Sequence, residues 1–215
     1  MSEATTVELD AQYRQLREEC GLLDRSERGK LLVGGADAAE FLQGQLTNDV
    51  EALEPGEGCY AALLDRKARI QADMRVLRLD EGIWLDTEPA TREPVRRHLE
   101  MYKIGREATV ADLTEERAVL SLIGPRSAEA AGTAVVPEDA SEEVRIEGVE
   151  CVAVGTEGGI DLIAAAADAA RLREALLDAG AVEVGAEAAE ILRIEAGRPR
   201  FGTEMTSETM PAEAG

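Results

Sequence analysis

Aromatic side chains are scarce in this 215-residue chain, where one Trp, three Tyr and two Phe make up 3% of the residues. A core without rings has to be filled by aliphatic side chains and alanine, so each aromatic position is informative about any cleft that takes a flat ligand. Histidine is scarcer still: His98 is the single imidazole and sits on a presumed helix beside Arg96 and Arg97. Neither a metal cluster nor a triad can be assembled around a second imidazole, no metal is expected, and His98 reads as a surface residue. Three cysteines, Cys20, Cys59 and Cys151, are an odd number and far apart, which excludes a disulfide framework and a CxxC pair and fits a reducing compartment. Cys59 has no evident base or cationic neighbour and reads as a packing residue. No apolar run approaches the roughly 20 residues needed to cross a bilayer, and Met1 to Gln12 lacks a cationic, apolar leader, so a cytoplasmic location is expected.

Lysine is nearly missing as well. Lys30, Lys67 and Lys103 are the only three, arginine supplies most of the positive charge, and the formal net charge is −21 with a pI near 4.4. Such a field repels phosphate backbones and anionic lipid, so nucleic acid and membranes are excluded as partners. Acidic residues on every expected surface fit a halophile's cytosolic protein, with an acidic mesophilic protein as the alternative.

What is present is a run of short elements. Residues 8 to 20 carry Leu9, Tyr13, Leu16 and Cys20 at helical spacing. Leu31 to Val33 reads as a strand, Ala36 to Gln45 as a helix, and Gly58 to Leu64 as a strand buried on both faces. Arg69 to Leu79 alternates, Gly82 interrupts it before Ile83 to Leu85, and the pair reads as a hairpin. Pro89 to Met101 is a predicted helix capped by Thr87, and a short strand near Ala108 to Ala111 closes the unit. The pattern restarts at Arg117, with a strand over Ala118 to Ile123, a Gly124-Pro125 turn and a helix over Arg126 to Ala131. Strands follow at Val144 to Ile146, Val149 to Val154 and Ile160 to Ile163, then helices over Asp168 to Ala179 and Glu187 to Ala196. The Gly155 to Gly159 run lacks a P-loop ending and the dinucleotide fingerprint, and reads as a hairpin turn. Comparison of VGGADAAEFL with IGPRSAEAAG suggests duplication of one αβ unit.

The fold class is therefore α+β, with two ferredoxin-like units packed together and boundaries at 1–115 and 116–215. The run DRSERGKLLVGGADAAEFLQGQLTNDV, then Gly58-Cys59-Tyr60, then Asp73 thirteen residues on from the tyrosine, and distant Leu192-Arg193-Ile194-Glu195-Ala196-Gly197 together resemble the folate-binding family of the glycine cleavage T-protein, an aminomethyltransferase, and its YgfZ-type relatives. The likeness runs from about Cys20 to the end and is thin between roughly Val135 and Gly185. It implies the same two-unit fold followed by a β-barrel domain, absent from this chain, and Phe201 to Gly215 resembles the passage toward it. A truncated sequence is the expectation, with a natural short form as the alternative.

The resemblance assigns Glu195 to hold the pterin, because one carboxylate accepts both the 2-amino group and the adjacent ring N–H of reduced folate. The alternative is a solvated helix glutamate or a structural pair with Arg193 or Arg198. Asp73 matches the catalytic aspartate beside the folate nitrogens that receive the one-carbon unit, against an outward position on an acidic surface. Tyr60 matches the tyrosine lining the folate cleft, against a core tyrosine; Asn48 and Asp49 read first as caps of the next turn, with bordering the cleft as the alternative. Ala72, where T-proteins carry a second acid, and the lack of the longer Gly-Tyr-Thr-Gly-Glu element tilt the resemblance toward the YgfZ branch, although its Lys-Gly-Cys-Tyr-x-Gly-Gln-Glu signature is not in the chain. The leading expectation is a tetrahydrofolate-binding factor supporting iron–sulfur cluster assembly or repair, with iron–sulfur client proteins as partners. The alternative is an aminomethyltransferase that takes its group from a lipoylated carrier protein, and the second alternative is a folate-independent interaction protein on the same scaffold.

Overall fold

The computed structural model describes residues 3–214. The chain folds as two compact units, one joining the N-terminal residues through Ser26 to Glu116–Arg198, the other joining Glu27–Glu115 to the residues from Pro199 onward. The first unit opens with α1 (Glu3–Glu18) and β1 (Gly21–Asp24). The second is then built from β2 (Gly29–Gly34), α2 (Ala38–Gln43), β3 (Gly58–Leu64), β4 (Ile70–Leu79), β5 (Gly82–Thr87), α3 (Pro89–Tyr102) and β6 (Thr109–Asp112). The chain returns to the first with β7 (Arg117–Ile123), α4 (Ser127–Ala131), β8 (Ser141–Ile146), β9 (Val149–Thr156) and β10 (Gly159–Ala165). A 3-10 turn, α5 (Ala169–Asp178), β11 (Val182–Glu183) and α6 (Ala186–Glu195) complete it, and α7 (Pro211–Ala214) belongs to the second unit.

Both units repeat one string, β-α-β-β-β-α-β. The second unit has the sheet order β3-β4-β5-β2-β6, and the first has β8-β9-β10-β7-β1-β11, the same order with β1 inserted. With the extra edge strand of each set aside, this is the ferredoxin-like arrangement. The duplicated turns agree in detail. Gly35 and Gly124 both have positive φ, 103° and 126°, and each accepts a bond at 3.2 Å from the residue three further on, Ala38 and Ser127. A Cβ at Gly35 would lie 2.1 Å from the Glu107 carbonyl oxygen, and one at Gly124 2.4 Å from that of Glu19, so only glycine fits either turn.

The contiguous halves 1–115 and 116–215 differ from this partition at both ends. β1 pairs antiparallel with β7, from Gly21 opposite Ile123 to Asp24 opposite Leu120, and parallel with β11. Its four residues are too few for alternation to mark them as a strand. The tail belongs with the second unit because Met205 is buried with Ala62 and Ile70, and Phe201 packs beside them.

In the second unit Leu31, Val33, Ala72, Met74, Val76, Ile83 and Leu85 line one sheet face and pack with Phe41, Leu42, Val95 and Leu99 from α2 and α3. In the first, Leu120, Leu122, Cys151, Ala153, Ile160 and Leu162 pack with Leu172 and Leu176 of α5. Two local expectations are corrected. β3 is a sheet edge, buried only over Ala61 to Leu63 and open at Tyr60. α3 is capped by Glu88 in an extended conformation with Pro89 following, while Thr87 stays in β5 and donates its hydroxyl to the Asp73 carbonyl at 2.7 Å.

Many ion pairs among the described residues are exposed, such as Arg126 with Glu19 and Glu129, and contribute little individually. Self-repulsion of a net charge of −21 is therefore the larger surface term. Raising KCl from about 0.1 M, where the Debye length is about 10 Å, to about 1 M, where it is about 3 Å, is expected to raise the melting temperature in calorimetry. A melting temperature that falls or stays fixed would contradict the salt-adapted reading.

Candidate functional site

The face of the second unit's sheet that turns away from α2 and α3 is unusually polar for a buried surface. Strand register places Tyr60 opposite Arg75, Arg75 opposite Asp86, and Asp86 opposite Lys30, one row across β3, β4, β5 and β2. Ala62 lies opposite Asp73 in the adjoining row. Alternation along β4 and β5 sends Asp73, Arg75 and Asp86 to this face because Ala72, Met74 and Leu85 are taken by the core.

Asp73 is 7% exposed. Its Oδ2 accepts the Tyr60 hydroxyl at 3.0 Å and the Phe201 backbone N–H at 3.2 Å, and neither bond engages Oδ1. Burial pushes its proton affinity above that of an ordinary aspartate. The two hydrogen bonds oppose this, the Glu88 charge adds to it, and the Arg28 charge subtracts from it. A carboxyl held this way gains from a cationic or N–H partner delivered to its unengaged oxygen. Tyr60 fixes which oxygen that is, and the residue stays 49% exposed.

Beside this pair the charges are clamped. Asp86 receives Arg28 Nε at 2.5 Å and Arg75 Nη2 at 2.9 Å on separate oxygens, and Arg28 Nη1 reaches Glu88 at 2.6 Å. Burial alone would weaken the Arg28 charge, but Asp86 and Glu88 outweigh it and raise its pKa. Lys30 is wholly buried, donates to the Arg28 carbonyl at 2.9 Å, and has its pKa lowered by that burial against the pull of Asp86.

Glu195 lies in the first unit, in the last turn of α6. Tyr13 of α1 donates its hydroxyl to both carboxylate oxygens, at 2.8 and 3.0 Å, and Arg17 lies 3.6 Å from Oε2. The bond to Glu195 is the main reason the Tyr13 pKa is raised. Neither of the arginines weighed as structural partners takes it: Arg193 pairs with Glu190, and Arg198 with Glu138 and Glu157. The side chain is about half exposed, 45%, despite apolar neighbours in sequence, because the α6 end is open and Ile194 is itself exposed.

The remaining marked residues fall elsewhere. His98 is half-buried, stacks on Tyr102 and bonds Gln45 at 2.8 Å, and burial lowers its pKa. Asn48 and Asp49 serve local turns, and Asn48 also donates to the Tyr60 carbonyl. Residues 157 and 158 form the β9–β10 turn. Sequence reasoning missed Phe201, Tyr13, Arg28 and Glu88. No side-chain pattern marks a backbone N–H, and charged residues at strand ends read as solvent-facing. Among the described residues, no group of three His, Cys, Asp or Glu side chains is placed to hold a metal, and no helix is long and apolar enough to cross a membrane.

Residues 3–215 match the family model described as the GCVT N-terminal domain. An aminomethyltransferase of Rubrobacter xylanophilus is 33% identical over 218 residues, covering 96% of this chain and 58% of the relative. One from Exiguobacterium sibiricum is 31% identical over 215 residues, covering 95% and 59%. The crystal structure of the glycine cleavage system aminomethyltransferase T from Bartonella henselae superposes with a TM-score of 0.84 at 27% identity, over 94% of this chain and 58% of that one. A heterotetrameric sarcosine oxidase of Corynebacterium shares the fold, with a TM-score of 0.53 at 17% identity. The chain thus spans a little under three-fifths of the aminomethyltransferases it matches.

Proposed function

Because this chain belongs to the family of GCVT N-terminal domains, we propose that it binds tetrahydrofolate and serves aminomethyl transfer from a lipoylated carrier. The observation that carries the reading is the buried Asp73 carboxyl, tethered through one oxygen by Tyr60 and Phe201. The names of the relatives support the transferase reading over the iron–sulfur factor expected first from the sequence. One objection to it also weakens. Ala72 is fully buried in the helix-covered core, on the face opposite Asp73, so the alanine there alters packing and not the Asp73 surface.

Each unit carries side chains whose chemistry matches a part of such a ligand. Asp73 offers an unengaged oxygen, Tyr60 a half-exposed residue, and Glu195 a carboxylate held by an exchangeable phenol with Arg17 beside it. Bound tetrahydrofolate would supply the nitrogens that receive the one-carbon unit. Asp73 would place negative charge where positive charge develops on nitrogen, with little reorganisation because its second oxygen is already fixed. Tyr60 would orient that carboxyl and give the heterocycle an apolar wall. The proposed role of Glu195 is to accept the paired N–H donors of the pterin edge, exchanging Tyr13 for the ligand.

Calorimetric titration of tetrahydrofolate in molar KCl tests this. The wild type should saturate, and Glu195→Ala should lose about 1.5–3 kcal/mol, roughly 10- to 150-fold in Kd. Absence of saturable binding by the wild type would favour a folate-independent interaction protein.

A further inference from the structure

Continuing the β4–β5 and β2–β5 registers one residue beyond Thr87 places Asp73 and Arg28 on either side of Glu88. Asp73 and Glu88 are two carboxyl groups in one row, the second exposed over only 17% of its side chain. Two neighbouring anions there would repel, and nothing in a transfer reaction requires the second. Arg28 answers this, with Nη1 on Glu88 at 2.6 Å and Nε on Asp86 at 2.5 Å.

We infer that Arg28 is a positioning residue for Asp73: by gripping Glu88 and Asp86 with one guanidinium, it withholds the Glu88 charge from the neighbouring carboxyl. The groups that face Asp73 are the Tyr60 phenol from β3, Arg75 two residues along β4, Glu88 at the β5–α3 junction, Arg28 ahead of β2 and the Phe201 N–H from the tail. Asp86 and Lys30 occupy the next row. Arg75 pairs with Asp86, and Arg28 pairs with Glu88. The opposite signs with which Glu88 and Arg28 act on the Asp73 carboxyl agree with this placement. The arrangement sets how much of Asp73 is ionised at working pH, and with it how strongly that carboxyl attracts a nitrogen cation; its relevance to transfer rests on the folate reading.

The test is a carboxyl-carbon NMR titration of the ligand-free full chain in wild type, Arg28→Met, Glu88→Gln and the double variant, with Asp73→Asn identifying the signal. The Asp73 midpoint should rise in R28M, fall in E88Q and return to the wild-type value in the double variant. A merely structural role would move both single variants in one direction or neither, and either result overturns the inference. If R28M does not fold, the E88Q midpoint decides, and an unmoved midpoint overturns it. Tetrahydrofolate titration of the same proteins separates the two claims. Opposed midpoint shifts without folate binding would overturn the proposed function and keep the positioning role, and binding without the shifts would overturn the positioning role alone.

Discussion

Asp73→Asn is expected, on the proposed transfer function, to lower single-turnover ammonia release from an aminomethyl-lipoyl carrier by about two to three orders of magnitude, the cost of removing one preorganised group aimed at developing charge. Asparagine keeps the volume and an acceptor for Tyr60 or Phe201, so the loss would belong to the charge. Stability gives an independent check. Because burial raises the Asp73 pKa above its ordinary 3.8, the carboxyl's favourable contribution is complete below the unfolded value and disappears as pH rises through the folded one. At pH 7 the ionised carboxyl opposes folding. The variant should therefore melt no lower than wild type at neutral pH, and its advantage should shrink on acidification toward the ordinary aspartate range. A rate within a few-fold of wild type would remove Asp73 from the chemistry, and a much lower melting temperature at pH 7 would show that its role is structural.

The largest stability loss is expected at Asp86, whose side chain is 4% exposed between Arg28 and Arg75. Asp86→Ala would leave both guanidinium groups short of their shared counter-charge and remove the acceptor facing buried Lys30, costing about 3–5 kcal/mol. Glu93 is the contrast. It also pairs with two arginines, Arg96 and Arg97, but on the open face of α3, where water and salt replace lost partners. Urea denaturation of both alanine variants should show a large drop in midpoint for Asp86 and almost none for Glu93. Equal small shifts would mean that the clamped charges are not needed for the fold.

The long elements were readable because their apolar residues repeat with the right period: the β4–β5 hairpin, α3, β7 and the β9–β10 hairpin all lie where the pattern predicts them. β1 was not, since four residues carry no period, and with it went the interleaving of the two units. The polar half of β4 and β5 shows a different limit. Alternation identifies Asp73, Arg75 and Asp86 as sharing a face, but normally assigns that face to solvent; here mutual pairing lets it be buried. Tyr60 and Asp73, thirteen residues apart, meet because they lie on adjacent strands of one hairpin. Glu195 was left open between a ligand role and a solvated helix position, because its apolar sequence neighbours do not say which way a helix end faces; the side chain is 45% exposed.

The most direct test is a crystal structure of the full chain with a stable reduced folate. A folate nitrogen is expected within about 3 Å of Asp73 Oδ1, with the Tyr60 hydroxyl still on Oδ2. Folate bound away from Asp73, or a carboxyl that keeps only its protein partners while folate occupies the crystal, would contradict it.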